Sequence, residues 1–231
     1  MNNTLLECIK NKKTSYTPIW FMRQAGRYLP EFREIRKQNQ DFIKLCLNER
    51  LSAEISLQPI KRFNLDAVII FSDILMIPYG LGQKIEFKKG FGPILGDLNF
   101  NIILNTKAND FIKKLSPIYE AIKRVRKDVG NRDLIGFAGA PWTLLMYMLN
   151  QKSPKNDFDI NKIIKNKSLM RDLILKLEDI IFLHTKEQIK AGANIIQIFD
   201  SWAGLLPKNK LSEYCYIPTS KIVKNIKSLQ T

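Results

Sequence analysis

The sequence predicts an α/β fold built on a parallel sheet, and three observations carry that prediction. Short apolar runs rich in β-branched residues recur along the chain, among them Asp66–Phe71, Leu134–Ala138 and Ala193–Phe199. Each is short, and Asp66–Phe71, too short for a helix and apolar on both faces, has the pattern of a strand buried on both sides. Long segments with helical periodicity lie between these runs. Glycines, Gly130 and Gly192, stand where two of those segments stop and the next strand is about to begin. Strands that alternate with helices imply right-handed crossovers. Both a doubly wound sheet and a (β/α)8 barrel satisfy the pattern.

Taken in order, Pro18–Met22 is a short apolar run and the first expected strand. Asn48 is placed to cap a helix through about Phe63, with Leu51, Ile55 and Ile60 on helical spacing and Pro59 expected to distort its end. Asp66–Phe71 is the second strand. The Gly-rich stretch from Gly80 to Phe100 contains the alternating Gln83–Lys88, expected in a small hairpin. A helix from about Asn109 to Val129 puts Leu115, Ile118, Ile122 and Val125 on one face. Leu134–Ala138 is the third strand, and Pro141 suits the first turn of the next helix. A long helix from about Ser168 to Lys190 precedes the fourth strand, Ala193–Phe199. Two short helices, near Leu206–Cys215 and Pro218–Leu229, follow.

Composition narrows the function classes. The 231 residues carry 37 Lys+Arg against 22 Asp+Glu, a net charge of +15, with 45% hydrophobic and 26% charged residues. That is the make-up of a folded chain rather than a disordered one. Three cysteines far apart (Cys8, Cys46, Cys215), with no C-x-x-C, indicate neither a disulfide framework nor a zinc knuckle. The first residues lack the apolar core of a signal peptide, and the longest uncharged run, Leu134–Gln151, is broken by Gly136, Gly139 and Pro141. A reduced, cytoplasmic setting is therefore expected. The basic excess has two explanations: A/T-rich codon usage raising Lys and Asn together, or a polyanionic ligand. The lysines are dispersed and no nucleic-acid motif is present, which disfavours a nucleic-acid partner.

Polar groups cluster where strands end. The first expected strand runs into Arg23-Gln-Ala-Gly-Arg27, two guanidinium forks flanking backbone amides, a combination suited to anions. The second ends in Phe71-Ser-Asp73. The third leads to Gly139-Ala-Pro-Trp-Thr-Leu-Leu-Met-Tyr147, and the fourth to Phe199-Asp-Ser201. Asp73, Asp200 and Ser201 are equally good as helix caps and as site residues, and Tyr147 as a core residue. Phe21, Tyr28 and Phe32 bracket the arginine loop, either stacking on a flat ligand or anchoring the loop. Delivery of such groups at strand C-termini is the pattern of an α/β-barrel active face. His184 shares the apolar phase of Leu177 and Ile181 and reads as a packing residue. No His/Asp/Glu set has metal-ligand spacing.

These segments resemble a known family. Trp20–Arg33 (WFMRQAGRYLPEFR) looks like the N-terminal signature of the uroporphyrinogen decarboxylases, and Gly136–Tyr147 (GFAGAPWTLLMY) like their second signature. Ile70–Leu75 and Gln197–Gly204 also match. The resemblance implies a (β/α)8 TIM barrel in a single domain over residues 1–231, of which about the first four βα units are present, so that the barrel is expected to be incomplete at the C-terminus. It implies a homodimer and a cofactor-free carboxy-lyase acting on the four acetate arms of uroporphyrinogen III. It further implies that Arg23, Gln24, Ala25, Gly26 and Arg27 bind substrate. Asp73 would hold the pyrrole N–H groups, and Tyr147 and Ser201 would complete the contacts, with Asp73, Arg23 and Tyr147 as the catalytic set. No cofactor, metal, membrane or nucleic acid is expected. A related barrel methyltransferase, acting on a corrinoid or methylated substrate, is the alternative.

Overall fold

A computed structural model describes residues 4–88, 90–153 and 166–230. In chain order the principal elements are helices α1 (Thr4–Ile9), α2 (Pro30–Gln38), α3 (Phe42–Cys46) and α4 (Glu49–Arg62), strand β1 (Ala67–Ile69), α5 (Met76–Gly80), β2 (Ile85–Lys88), β3 (Gly92–Leu95), α6 (Phe100–Asn105), α7 (Ala108–Asp128), β4 (Asp133–Gly139), α8 (Pro141–Asn150), α9 (Lys167–Lys190), β5 (Ile195–Phe199), α10 (Lys208–Leu211), a π-helical turn (Ser212–Tyr216) and α11 (Ile217–Lys227). Strands β1, β4 and β5 form one sheet in the order β1-β4-β5, and β2 pairs antiparallel with β3. The β1–β4 pair is parallel, with Ala67 opposite Asp133 and Ile69 opposite Ile135. Strands β4 and β5 also run parallel. Asn194 N donates to Leu134 O at 3.0 Å and Ala140 N to Phe199 O at 2.8 Å, so the bonds advance along both strands together.

The chain divides into two compact units. The first comprises Met1–Asp73, Leu115–Phe137 and Glu187–Gln197. Its N-terminal half is organised by α4, whose start is fixed as the sequence indicates: the Asn48 side chain accepts from Leu51 N at 3.0 Å. Pro59 lies inside α4 near its end, and Phe63 N still bonds Pro59 O at 2.9 Å. Leu51 and Ile55 of α4 pack with Leu29, Phe32 and Leu45 in one cluster, with Ala25, Ile35 and Phe71 against it. The bidentate Arg62–Glu31 pair, 2.6 and 2.9 Å, ties α4 to α2. The expected strand at Pro18–Met22 is absent. Ile19, Phe21 and Met22 are 51%, 61% and 54% exposed, so the burial that a central strand requires is missing. The segment is hydrogen-bonded to Asp66, just before β1: Asp66 N donates to Ile19 O, and Ile19 N to Asp66 Oδ2 at 2.7 Å. The parallel sheet therefore has three strands among the described residues, where the sequence suggested four.

The second unit comprises Ile74–Lys114, Ala138–Lys186 and Ile198–Thr231. The hairpin expected around Gln83–Lys88 is present as β2–β3, with Ile85 opposite Leu95. Gln83, buried just before it, donates to Gly96 O and Met148 O. Pro141 occupies the first turn of α8. His184 on α9 packs edge-on against Phe111, ring centroids 6.2 Å apart, and burial drives its imidazole down to about 3. It is the packing residue that its apolar phase indicates. Gly130 (φ +62°) and Gly192 (φ +116°) follow α7 and α9 in a backbone region that L side chains rarely enter, which is why those helices stop there. Among the described residues no helix is long and apolar enough to cross a membrane.

Candidate active site

In the first unit the arginine segment forms a loop that closes on itself. Gln24 is its root. Its side chain is buried, with Nε2 donating to Ala67 O of β1 at 3.0 Å and Oε1 accepting from Phe21 N at 3.2 Å. Its own N–H bonds Phe21 O, and its carbonyl accepts from the Tyr28 hydroxyl. Every polar group of Gln24 is thus engaged in holding the loop, and any ligand contact by this segment falls to its neighbours. Arg23 and Arg27 are exposed, and among the described residues neither guanidinium has a hydrogen-bond or ion-pair partner. The amides of Ala25, Gly26, Arg27 and Tyr28 likewise donate to no protein acceptor among those residues. Two guanidinium forks and four amides without a protein partner among the described residues, within six residues of chain, have the chemistry that suits an anion.

Asp73 follows β1, half-buried. Its placement comes from two serines that no sequence motif singles out. Ser52 Oγ donates to Phe71 O at 2.6 Å, and Ser56 Oγ accepts from Phe71 N at 2.7 Å, both from the buried face of α4. Phe71 also meets Phe32 and Phe42 edge-on, at 5.8 and 5.7 Å. Leu29, two residues beyond Arg27, and Phe71, two residues before Asp73, pack in the same cluster, so the arginine loop and the carboxylate share one support. Arg36 also belongs to this neighbourhood and was missed in the sequence. It donates to Asn39 O at 2.6 Å and sits over the Phe42 ring at 5.5 Å. Burial, then the charge of Arg27, lowers its guanidinium from the ordinary value. Burial, then the charge of Asp73, pushes the Cys46 thiol well up, with Arg36 opposing. These fields couple Arg27 to Arg36, Arg36 to Cys46, and Cys46 to Asp73. Only the alternation of charged and apolar residues along α2 hinted at Arg36.

In the second unit Tyr147 and Ser201 lie near one polar knot. Thr143 Oγ1 donates to Asp200 Oδ1 at 2.7 Å and accepts from Trp202 N at 3.1 Å. Trp142 Nε1 donates to Trp202 O at 3.0 Å. The Cys215 thiol, on the π-helical turn, also bonds Asp200; burial, then the Asp200 charge, raises it. Asp200 is therefore committed to fixing the loop after β5, and exposed Ser201 is presented by it. The half-buried Tyr147 ring meets Trp202 edge-on at 5.9 Å, and its hydroxyl has no partner among the described residues. Among those residues no group of three or more His, Cys, Asp or Glu is arranged to hold a metal ion.

The family model for uroporphyrinogen decarboxylase (URO-D) matches residues 1–231. The chain belongs to the uroporphyrinogen decarboxylase family. It is 43% identical over 227 residues to the uroporphyrinogen decarboxylase of Rickettsia bellii, covering 97% of this chain and 66% of that protein. It is 45% identical to those of Campylobacter jejuni and Orientia tsutsugamushi, covering 96% of this chain and 66% of each of them. The chain thus spans 66% of the length of these relatives. Among solved structures, a methyltransferase from Methanosarcina mazei superposes with a TM-score of 0.75 at 18% identity, over 96% of this chain and 66% of that one. That likeness shows the fold alone. The family assignment agrees with the signatures around Arg23–Arg27 and Gly139–Tyr147.

Proposed function

We propose that this chain carries the substrate-binding and carboxylate machinery of a uroporphyrinogen decarboxylase. The reaction removes CO2 from the four acetate arms of uroporphyrinogen III to give coproporphyrinogen III. One observation carries the proposal: two guanidiniums and four amides without a protein partner among the described residues stand on a loop that shares its apolar support with Asp73. A substrate with eight carboxylates and four pyrrole N–H groups needs both features. The strongly basic chain, +15 in net charge, favours its approach.

Each decarboxylation must park the electron pair of the breaking C–C bond. A pyrrole protonated at the ring carbon beside its acetate arm is an iminium-like acceptor. When CO2 leaves, the bond pair flows into the ring; a proton then adds to the exocyclic carbon and the ring carbon loses its own. The balance per arm is carboxylate plus one proton to methyl plus CO2, with no oxidant or reductant. Asp73 stabilises the positive charge that the pyrrole develops. Arg27 and the amides of Ala25 and Gly26 hold acetate and propionate arms, and Arg23 orients the reacting arm and delivers the proton through a bound water. Tyr147 and Ser201 are assigned as further substrate contacts by the family resemblance and by hydroxyls that have no partner among the described residues. In this proposal residues 1–231 contribute about the first four βα units of a single (β/α)8-type domain, which is homodimeric and cytoplasmic and needs no cofactor.

Uroporphyrinogen III turnover, followed by chromatography of the oxidised products, together with equilibrium binding of uroporphyrin, tests the proposal. Arg27→Ala should weaken uroporphyrin binding about 10- to 100-fold, the loss of one charge-assisted contact of ~1.5–3 kcal/mol. An unchanged affinity would remove the arginine loop from substrate recognition.

A further inference from the structure

The arginine loop is held through its carbonyl groups. The Gln24 carbonyl accepts from the Tyr28 hydroxyl. Gly26 O accepts from Leu29 N at 3.0 Å. Arg33 Nη1, reaching back from α2, donates to Arg27 O at 2.9 Å and to Tyr28 O at 3.1 Å. The acceptors at Gln24, Gly26, Arg27 and Tyr28 are therefore consumed from within, while among the described residues the amides of Ala25 to Tyr28 have no acceptor. A peptide has its donor and acceptor on opposite sides, so fixing its carbonyl also fixes the direction of its N–H. This asymmetry distinguishes a built anion cradle from a solvated loop, in which both kinds of group would be free.

We propose that Tyr28 and Arg33 are positioning residues for the anion site: Tyr28 clamps the Gln24 carbonyl and Arg33 the Arg27 carbonyl, and so together they pre-orient the amides of Ala25 and Tyr28 toward a carboxylate. The inference rests on the proposed function of the loop and deepens it, because it assigns neither residue to contact with substrate. Arg33 is exposed and set among Arg23, Arg27 and Arg36 in sequence, so it would otherwise be taken for one more substrate cation. Its geometry says that its guanidinium serves two backbone carbonyls. Tyr28 is half of the same clamp. Its ring leans on Phe63 at 6.5 Å, while burial, then the charge of Glu31, raises its hydroxyl above the ordinary range and keeps it a donor. Pre-orientation matters because amides already aimed need no reorganisation when the anion arrives.

Tyr28→Phe removes one hydroxyl and no charge, which separates clamping from electrostatics. Uroporphyrin binding, measured by fluorescence titration at two salt concentrations, should weaken about five- to tenfold in Tyr28→Phe and in Arg33→Gln, equivalent to one hydrogen bond of ~1–1.4 kcal/mol. The melting temperature should be preserved, and tryptic cleavage after Arg23 and Arg27 should accelerate in both. The double variant should lose less than the product of the two single losses, because both residues hold the same loop. If wild type binds and Tyr28→Phe binds equally well, the clamp is overturned while the anion site stands. Loss in Arg33→Gln that Arg33→Lys fully restores, with Tyr28→Phe silent, would make Arg33 a simple charge and overturn it too. If wild-type protein does not bind uroporphyrin at all, the site itself falls, and the clamp with it.

Discussion

Ser56 offers the sharpest test of how Asp73 is held. Its Oγ lies on the fully buried face of α4, accepts the Phe71 N–H at 2.7 Å and donates to Ser52 O at 2.7 Å. Alanine removes the acceptor and leaves the Phe71 amide facing an apolar cluster. An orphaned buried donor costs about 1–3 kcal/mol. Ser52→Ala is different. It removes a donor from the Phe71 carbonyl, and a carbonyl with two lone pairs tolerates under-satisfaction better than an N–H does. The expected order is therefore Ser56→Ala at ~2 kcal/mol and Ser52→Ala at ~1 kcal/mol or less. For a chain of this size ~2 kcal/mol lowers the melting temperature by about 4–8 °C. Urea denaturation of the two variants beside wild type reads both values. Because Phe71 is two residues from Asp73, turnover should fall in the same order, with affinity for uroporphyrin less affected. Equal costs, or a larger cost at Ser52, would refute the donor–acceptor asymmetry on which the account of Asp73 rests.

Two further outcomes are expected. In the active enzyme Asp73→Ala should lower turnover by about two to four orders of magnitude with the fold retained, and near-normal formation of coproporphyrinogen would contradict its role. His184, driven to about 3 by burial, is neutral when folded, whereas an unfolded histidine titrates near 6.5. Between those values the unfolded chain binds the extra proton, so the stability due to the neutral imidazole is complete above about 6.5 and falls with pH by ~1.4 kcal/mol per unit. Urea midpoints at pH 7, 6 and 5 should show this slope in wild type and a shallower one in His184→Phe; parallel slopes would rule His184 out as its source.

Much of the fold was legible because local signals and tertiary structure agree. Asn48, Pro141, Gly130 and Gly192 mark helix boundaries by their own backbone chemistry, and the structure places those boundaries within a residue or two of the expected positions. The Pro18–Met22 segment failed for the opposite reason. Its apolar residues satisfy the strand pattern, but the pattern reports hydrophobicity and not burial, and Ile19, Phe21 and Met22 remain exposed beside the arginine loop. The same limit governs the site. Arg23, Arg27 and Asp73 stand out in one dimension because charge after an apolar run is rare. Ser52, Ser56, Tyr28 and Arg33 do not, because their roles are hydrogen bonds to backbone groups 4 to 19 residues away. Gln24 shows what this means for transferring function by motif. It sits between the two arginines, and the family signature marks it together with them, yet its polar groups all point into the protein. A signature records the residues that a site cannot do without. Which of them touch the ligand and which hold the others in place is decided by where each donor and acceptor is spent.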